Sequence, residues 1–185
     1  MKRLIIVALV IFSPSWAGAQ TSLERQAFAT LKPEAQKLVL TWLNTNCGAA
    51  EQMAFERKIT TFGSVLELAF WEAFRLGPTE QEMNTVSAAV ARRYDERQTW
   101  LRQLGDLQMG KAETARQLAI SGKQYAEREL LQYVERYKSA ALAGLGLVGT
   151  QHIATELTRI ADDDKNPAQT SAKEAIKGIR QKHSR

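Results

Sequence analysis

FERKITTFGSVLELAFWEAFRL, residues 55–76, decides the fold class. Phe55, Ile59, Phe62, Leu66, Ala69, Ala73 and Leu76 follow one another at gaps of four and three. That is the period of one continuous helix face. Val65, Leu68, Phe70, Trp71 and Phe74 make the second half apolar on its other faces too, with Glu67, Glu72 and Arg75 as its charges. A helix apolar nearly all round is expected to be buried. Gly77-Pro78 ends it, because proline disfavours the helical conformation in the residue before it and has no N–H to donate.

The neighbouring segments read the same way. Ser22 caps a short helix over 23–31, and Pro33 opens a second that ends near Asn44. The apolar stretch then lies in a helix expected over 49–76, with Gly63-Ser64 as a place for a kink or close packing. Thr79 and Glu82 form a capping box for a fourth helix over 80–104, whose inner stripe is Met83, Val86, Val90, Tyr94, Leu101 and Leu104. On its outer side Arg92, Arg93, Asp95, Glu96 and Arg97 read as a solvated face with local ion pairs. Gly105 and Gly110 bracket a turn. A fifth helix is expected over 111–143, with Tyr125, Tyr133 and Tyr137 on its stripe and Gly122 as a possible break. No segment alternates with period two. The chain is therefore expected to be all-α, either an irregular, α-solenoid-like helical array or a helical bundle with long helices.

The 185 residues suffice for one real core, and 44% hydrophobic with 24% charged residues is an ordinary globular balance. The net charge of +5 sits at the ends. Residues 165–185 hold six Lys or Arg against one Glu, and Lys2 and Arg3 add two more positive charges, which leaves −2 for residues 20–164. A basic end on an acidic body argues against a nucleic-acid partner.

Residues 1–19 have the three parts of a secretory signal. Lys2 and Arg3 are followed by nine unbroken apolar residues, Leu4 to Phe12, and then by Ala17-Gly18-Ala19. Cleavage is expected between Ala19 and Gln20. The apolar run is about half of the roughly 20 residues a membrane helix needs. The expected location is the bacterial periplasm. Three parts follow: the signal peptide 1–19, an all-helical domain 20–164, and a basic C-terminal helix or tail 165–185 docked on that domain. The single Cys47, in Asn44-Thr45-Asn46-Cys47-Gly48, cannot make an internal disulfide; it reads as a small filler at a helix end, with an intermolecular disulfide or a reactive thiol as the functional alternative.

Motifs for chemistry fail on their context. Gly144-Leu145-Gly146-Leu147-Val148-Gly149 matches the dinucleotide fingerprint, but a helix precedes it and no βαβ unit surrounds it. It reads instead as an apolar connection or a close approach of two helix backbones. Asp162, Asp164 and Asn166 start a calcium-loop spacing, but Pro167 and Lys173 stand where a glycine and a bidentate glutamate belong. His152 and His183 have no partner at metal-ligand spacing. No cofactor, metal or catalytic residue is assigned. Glu67 and Glu72 are the carboxylates most deeply set in apolar sequence, yet five residues turn a helix through about 500°, so their side chains diverge by roughly 140°.

The last third reads as a helical hairpin. Ile153, Leu157 and Ile160 share a face, with Thr150 as cap. The turn Ala161-Asp162-Asp163-Asp164-Lys165-Asn166-Pro167 follows, and then Ala172-Lys173-Glu174-Ala175-Ile176-Lys177-Gly178-Ile179. Residues 150–181 resemble one unit of a HEAT or armadillo-type repeat. Pro33 and Pro78, which open helices 45 residues apart, fit such a period. The arginine common early in the second HEAT helix is absent. The resemblance implies a scaffold that binds other proteins through exposed helix faces.

The leading expectation is thus an exported, non-enzymatic interaction or scaffold protein with a protein partner. An envelope enzyme acting on cell-wall or sugar substrate through Glu67 or Glu72 is the alternative from another class. A third is a protein held at a membrane surface by the basic tail. Lys173, Lys177 and Arg180 line one face of the last helix, Lys182 continues the charge, and Ile176 and Ile179 lie on a different face that can dock.

Overall fold

The computed structural model describes residues 25–45 and 49–184. The expected signal peptide, the cleavage site, the Ser22 cap and Cys47 lie outside the described residues. The protein is all-α, with 86% helix and no strand among the described residues. In chain order the helices are α1 (Gln26–Ala29), α2 (Pro33–Asn44), α3 (Ala49–Phe62), α4 (Glu67–Leu76), α5 (Glu80–Trp100), α6 (Asp106–Met109), α7 (Lys111–Leu118), α8 (Gly122–Val148), α9 (Gln151–Ala161) and α10 (Gln169–His183).

The helices gather around α8. It packs against α4, α5 and α10, and also against α2 and α3. Its inner face buries Tyr133, Tyr137, Ala141, Leu142, Leu145 and Val148. Against that face lie Leu66, Ala69, Phe70 and Ala73 from the decisive stretch, Val39 and Trp42 from α2, and Ile176 and Ile179 from α10. At about 25 cal/mol per Å² of apolar surface, each of the larger side chains contributes roughly 1.5–3 kcal/mol on burial.

Three expected helices are interrupted, each for a local reason. The 49–76 helix breaks at Gly63, whose φ of +62° is left-handed backbone that favours glycine. A 3-10 turn, Gly63–Leu66, then leads into α4. The apolar stripe stays in phase across the break, with Ile59, Leu66, Ala69 and Ala73 buried, but Val65 and Leu68, which lie off it, are exposed instead of buried, and so is Leu76. The 80–104 helix ends at Trp100 and continues as a π turn, Leu101–Gly105, whose last residue lies against Thr114. Gly105 therefore belongs to the helical path, and Gly110, at φ +78°, makes the turn. The 111–143 helix is divided by the Ser121–Gln124 capping box, which starts α8 afresh.

At its other end α8 runs through Gly144, Leu145 and Gly146 to Val148, so this stretch is helix and not a connection. The close-approach reading holds. A Cβ on Gly144 would stand 2.7 Å from the Phe70 ring, and one on Gly178 would stand 2.8 Å from the Gly146 carbonyl oxygen. The glycines let α8 meet α4 on one side and α10 on the other. The expected hairpin forms between α9 and α10, which pack on each other. No described helix is long and apolar enough to cross a membrane.

Candidate functional site

Arg25 starts the described chain in left-handed backbone, φ 42°, with only 6% of its surface exposed. Its guanidinium reaches three partners. Nη2 donates to the Gly77 carbonyl at 2.7 Å, to Glu82 Oε2 at 3.0 Å, and to the Tyr137 hydroxyl. The guanidinium carbon also stands 5.3 Å from the centre of the Tyr137 ring. The chain ends of α4 and α5 and the middle of α8 thus meet on one cation.

Glu82 collects donors from every side. The Thr79 amide donates to its Oε2 at 2.7 Å, closing the capping box. Asn44 Nδ2 donates to Oε1 at 3.2 Å, and so does the Tyr137 hydroxyl. Tyr133 completes the chain, its hydroxyl donating to Asn44 Oδ1 at 2.7 Å. Burial pushes the Glu82 carboxyl upward, but the Thr79 amide, Arg25, Asn44 and the Thr79 hydroxyl together outweigh it and hold it below 4.5. Tyr133 is pushed up to about 12, first by burial and then by the Glu82 charge, against Arg25 and Arg136. Burial also raises Tyr137. At neutral pH the network is one arginine cation, one carboxylate and two neutral phenols.

This network floors a cleft of about 780 Å³ between α1, α2, α5 and α8. Glu82, Val86, Ala89 and Arg93 descend one face of α5 along it, Tyr133 and Arg136 stand on α8, and Phe28 and Leu40 close the side. A concave site with a few fixed polar groups beside shifted titratable residues is the usual place to look for binding.

The acidic candidates from the sequence lie elsewhere. Glu67 is buried, and its Oε2 accepts from the Thr150 amide at the start of α9. Glu72 accepts from the Ala27 and Phe28 amides, at 2.9 and 3.1 Å, at the start of α1. A carboxylate at a helix start satisfies free N–H groups and opposes the positive end of the helix dipole. Each glutamate therefore has a structural duty, and the two serve different helices.

The basic candidates divide. Lys173, Lys177 and Arg180 are all exposed on α10 and line a shallow groove of about 370 Å³ with Thr158, Asp162 and Ile176. Glu174 pairs with Lys177 at 3.8 Å and tempers the charge there. Lys182 turns instead to the Gly149 carbonyl, 3.1 Å away, and closes the C-terminus of α8. Among the described residues no three His, Cys, Asp or Glu side chains come together as a metal site.

Sequence reasoning placed Glu82 in a capping box and both tyrosines on a core stripe, but it did not join them to Arg25, which lies 52 residues before Gly77 and 112 before Tyr137. The available signal was tyrosine at core positions where leucine packs as well, since a buried phenol needs a polar partner. Comparison with models of protein families, with curated proteins and with solved structures gives no match.

Proposed function

We propose that the chain is an exported, non-enzymatic helical scaffold that acts by binding another protein through exposed helix faces. One observation carries this reading. Val65 and Leu68, three residues apart at the junction into α4, are 66% and 56% exposed in a strongly apolar stretch, directly beside the buried Leu66 and Ala69. Large aliphatic side chains paired in this way mark an interaction face more often than scattered ones do. The leader at residues 1–19 supports export to the periplasm. The helix-capping duties of Glu67 and Glu72 account for their positions without chemistry.

The test is photocrosslinking in the native envelope, with a crosslinker at position 65 or 68 and a control at Glu96 on the outer side of α5. A discrete adduct with one other protein from the first two positions, absent from the control, is expected. No adduct, or the same pattern at all three, would remove the reading. Glu67→Gln and Glu72→Gln separate it from an envelope enzyme. Loss of soluble-fragment release from cell-wall sacculi, with the fold intact, would favour the enzyme.

A second reading has its own observation. The exposed row Lys173, Lys177 and Arg180 suits an anionic membrane surface, where each basic residue contributes about 1 kcal/mol. Salt-sensitive binding to anionic vesicles that is lost when the three are changed to Gln supports this reading, and equal binding by both chains ends it.

A further inference from the structure

We propose that the cleft above the Arg25–Glu82 network binds a small amphipathic carboxylate, a molecule with one anionic head and an apolar body. The proposal is independent of the scaffold reading.

The argument rests on which polar groups are already committed. The Glu82 carboxylate is satisfied by Arg25, Thr79 and Asn44, and Asn44 in turn accepts from Tyr133. The floor is therefore closed upon itself and offers a ligand little free charge. The rim differs. Arg136 has no carboxylate within ion-pair distance among the described residues, and its one hydrogen bond, at 3.4 Å, runs to the Gln132 carbonyl of its own helix. Arg93 reaches Glu129 only at 3.8 Å and keeps half its side chain exposed. Two guanidinium groups thus stand on the cleft with donors to spare. A carboxylate matches a guanidinium with two parallel hydrogen bonds, which is geometry as well as charge.

Beside these polar groups and Gln81 and Thr85, the cleft has an apolar share of lining. Val86 and Ala89 are one turn apart on α5, with Leu40 and Phe28 from α2 and α1. A ligand that buried only a charge would leave that surface wet. A neutral apolar ligand would leave the arginines unused. The volume of about 780 Å³ lies within the range of small-molecule sites, about 300–1,000 Å³. The cleft therefore selects a molecule with both features. A cation is disfavoured, since Arg136 and the half-exposed, loosely paired Arg93 both bring positive charge to the rim.

The experiment uses the mature chain from Gln20 and decanoate below its micellar range as probe, with decanol, decyltrimethylammonium and acetate as comparison arms. Binding is followed by titration calorimetry and by the methyl NMR signals of Val86 and Ala89. Saturable binding of one decanoate per chain is expected, with each comparison arm at least about tenfold weaker, equivalent to about 1.4 kcal/mol. Arg93→Gln with Arg136→Gln should weaken decanoate by at least about tenfold and leave decanol unchanged. Both sites are exposed, so the fold should survive, and the thermal midpoint checks it. Ala89→Trp, which fills the cleft, should abolish decanoate binding. Decanol binding as tightly as decanoate, or a double variant that binds decanoate unchanged, would overturn the proposal. Unsaturable binding would do so as well.

Discussion

Arg25 is held in a conformation that costs about 1–3 kcal/mol for a residue with a side chain, and its charge is nearly lost to water. Glu82 is what makes that position tenable, since it supplies the only full opposite charge in the network. Glu82→Gln keeps the shape and an acceptor for the Thr79 amide but leaves the buried guanidinium without a counter-charge. We expect a loss of about 3 kcal/mol at neutral pH, the low end for breaking a buried pair, because Glu82 retains some exposure. The sign with pH follows from its lowered pKa. A carboxyl whose folded value lies below 4.5 contributes stability above that pH and loses it as pH falls through the folded value. The gap between wild type and Glu82→Gln in urea should therefore be full at pH 7 and close progressively below pH 4.5. A gap that is constant down to acid would mean that the ion pair contributes nothing. The capping box was legible in the sequence because Thr79 and Glu82 are three residues apart. The rest of the site was not, because its members come from α2, α5, α8 and the residue before α1, and no local pattern links them.

At the scale of elements, the legible part was the existence of helices and the hidden part was where they break and touch. The stripe of the 49–76 segment reads as continuous because a glycine does not disturb apolar spacing, whereas the π turn at Leu101–Gly105 takes Leu104, expected on the inner stripe, out to 42% exposure. The breaks are decided by backbone conformation, as at Gly63, or by a polar pair, as at Ser121 and Gln124. The glycines of α8 and α10 show the converse, a pattern with a wrong chemical reading and a right geometric one. Gly178 is the sharpest case, because its neighbour is the Gly146 carbonyl, a backbone atom inside another helix that has nowhere to move. In a solvated helix Gly→Ala gains up to about 1 kcal/mol from propensity. Here the added methyl forces α10 off α8, and overpacking costs about 1–3 kcal/mol. Gly178→Ala should therefore destabilise despite its better propensity, while Lys177→Ala beside it, on the exposed face, should stay within about 0.5 kcal/mol. A stabilised Gly178→Ala would show that the two helices do not cross this closely.

Over the whole molecule the packing is uneven. The main core takes α2, α3, α4, α9, α10 and the C-terminal half of α8, and it includes no buried residue between 87 and 132. Val90, Leu101 and Tyr125 are buried outside it, where α5 and α8 run on together toward α6 and α7. That far end is held by lighter means. Tyr94 and Tyr125 pack as tilted rings with centroids 5.5 Å apart, and the Tyr94 hydroxyl donates to the Ile120 carbonyl at 2.9 Å. Arg97 lies over Tyr125, and among the described residues its Nη1 and the buried Gln98 amide nitrogen have no hydrogen-bond partner. Of α7 only Thr114 is buried, whereas Leu107 on α6 is 84% exposed. Local opening costs little where few apolar groups are buried and approaches the global stability in the core. Hydrogen exchange should therefore separate two regions of one chain. Amides of residues 111–118 should exchange at least about 100-fold faster than those of 141–148, a difference of about 2.8 kcal/mol in opening free energy. The contrast is built into the packing and does not depend on any ligand, so the protein alone suffices for the measurement. Equal protection in the two segments would mean that α6 and α7 open only when the whole molecule unfolds, and that the paired tyrosines couple the far end to the core as firmly as the aliphatic contacts couple α8 to α10.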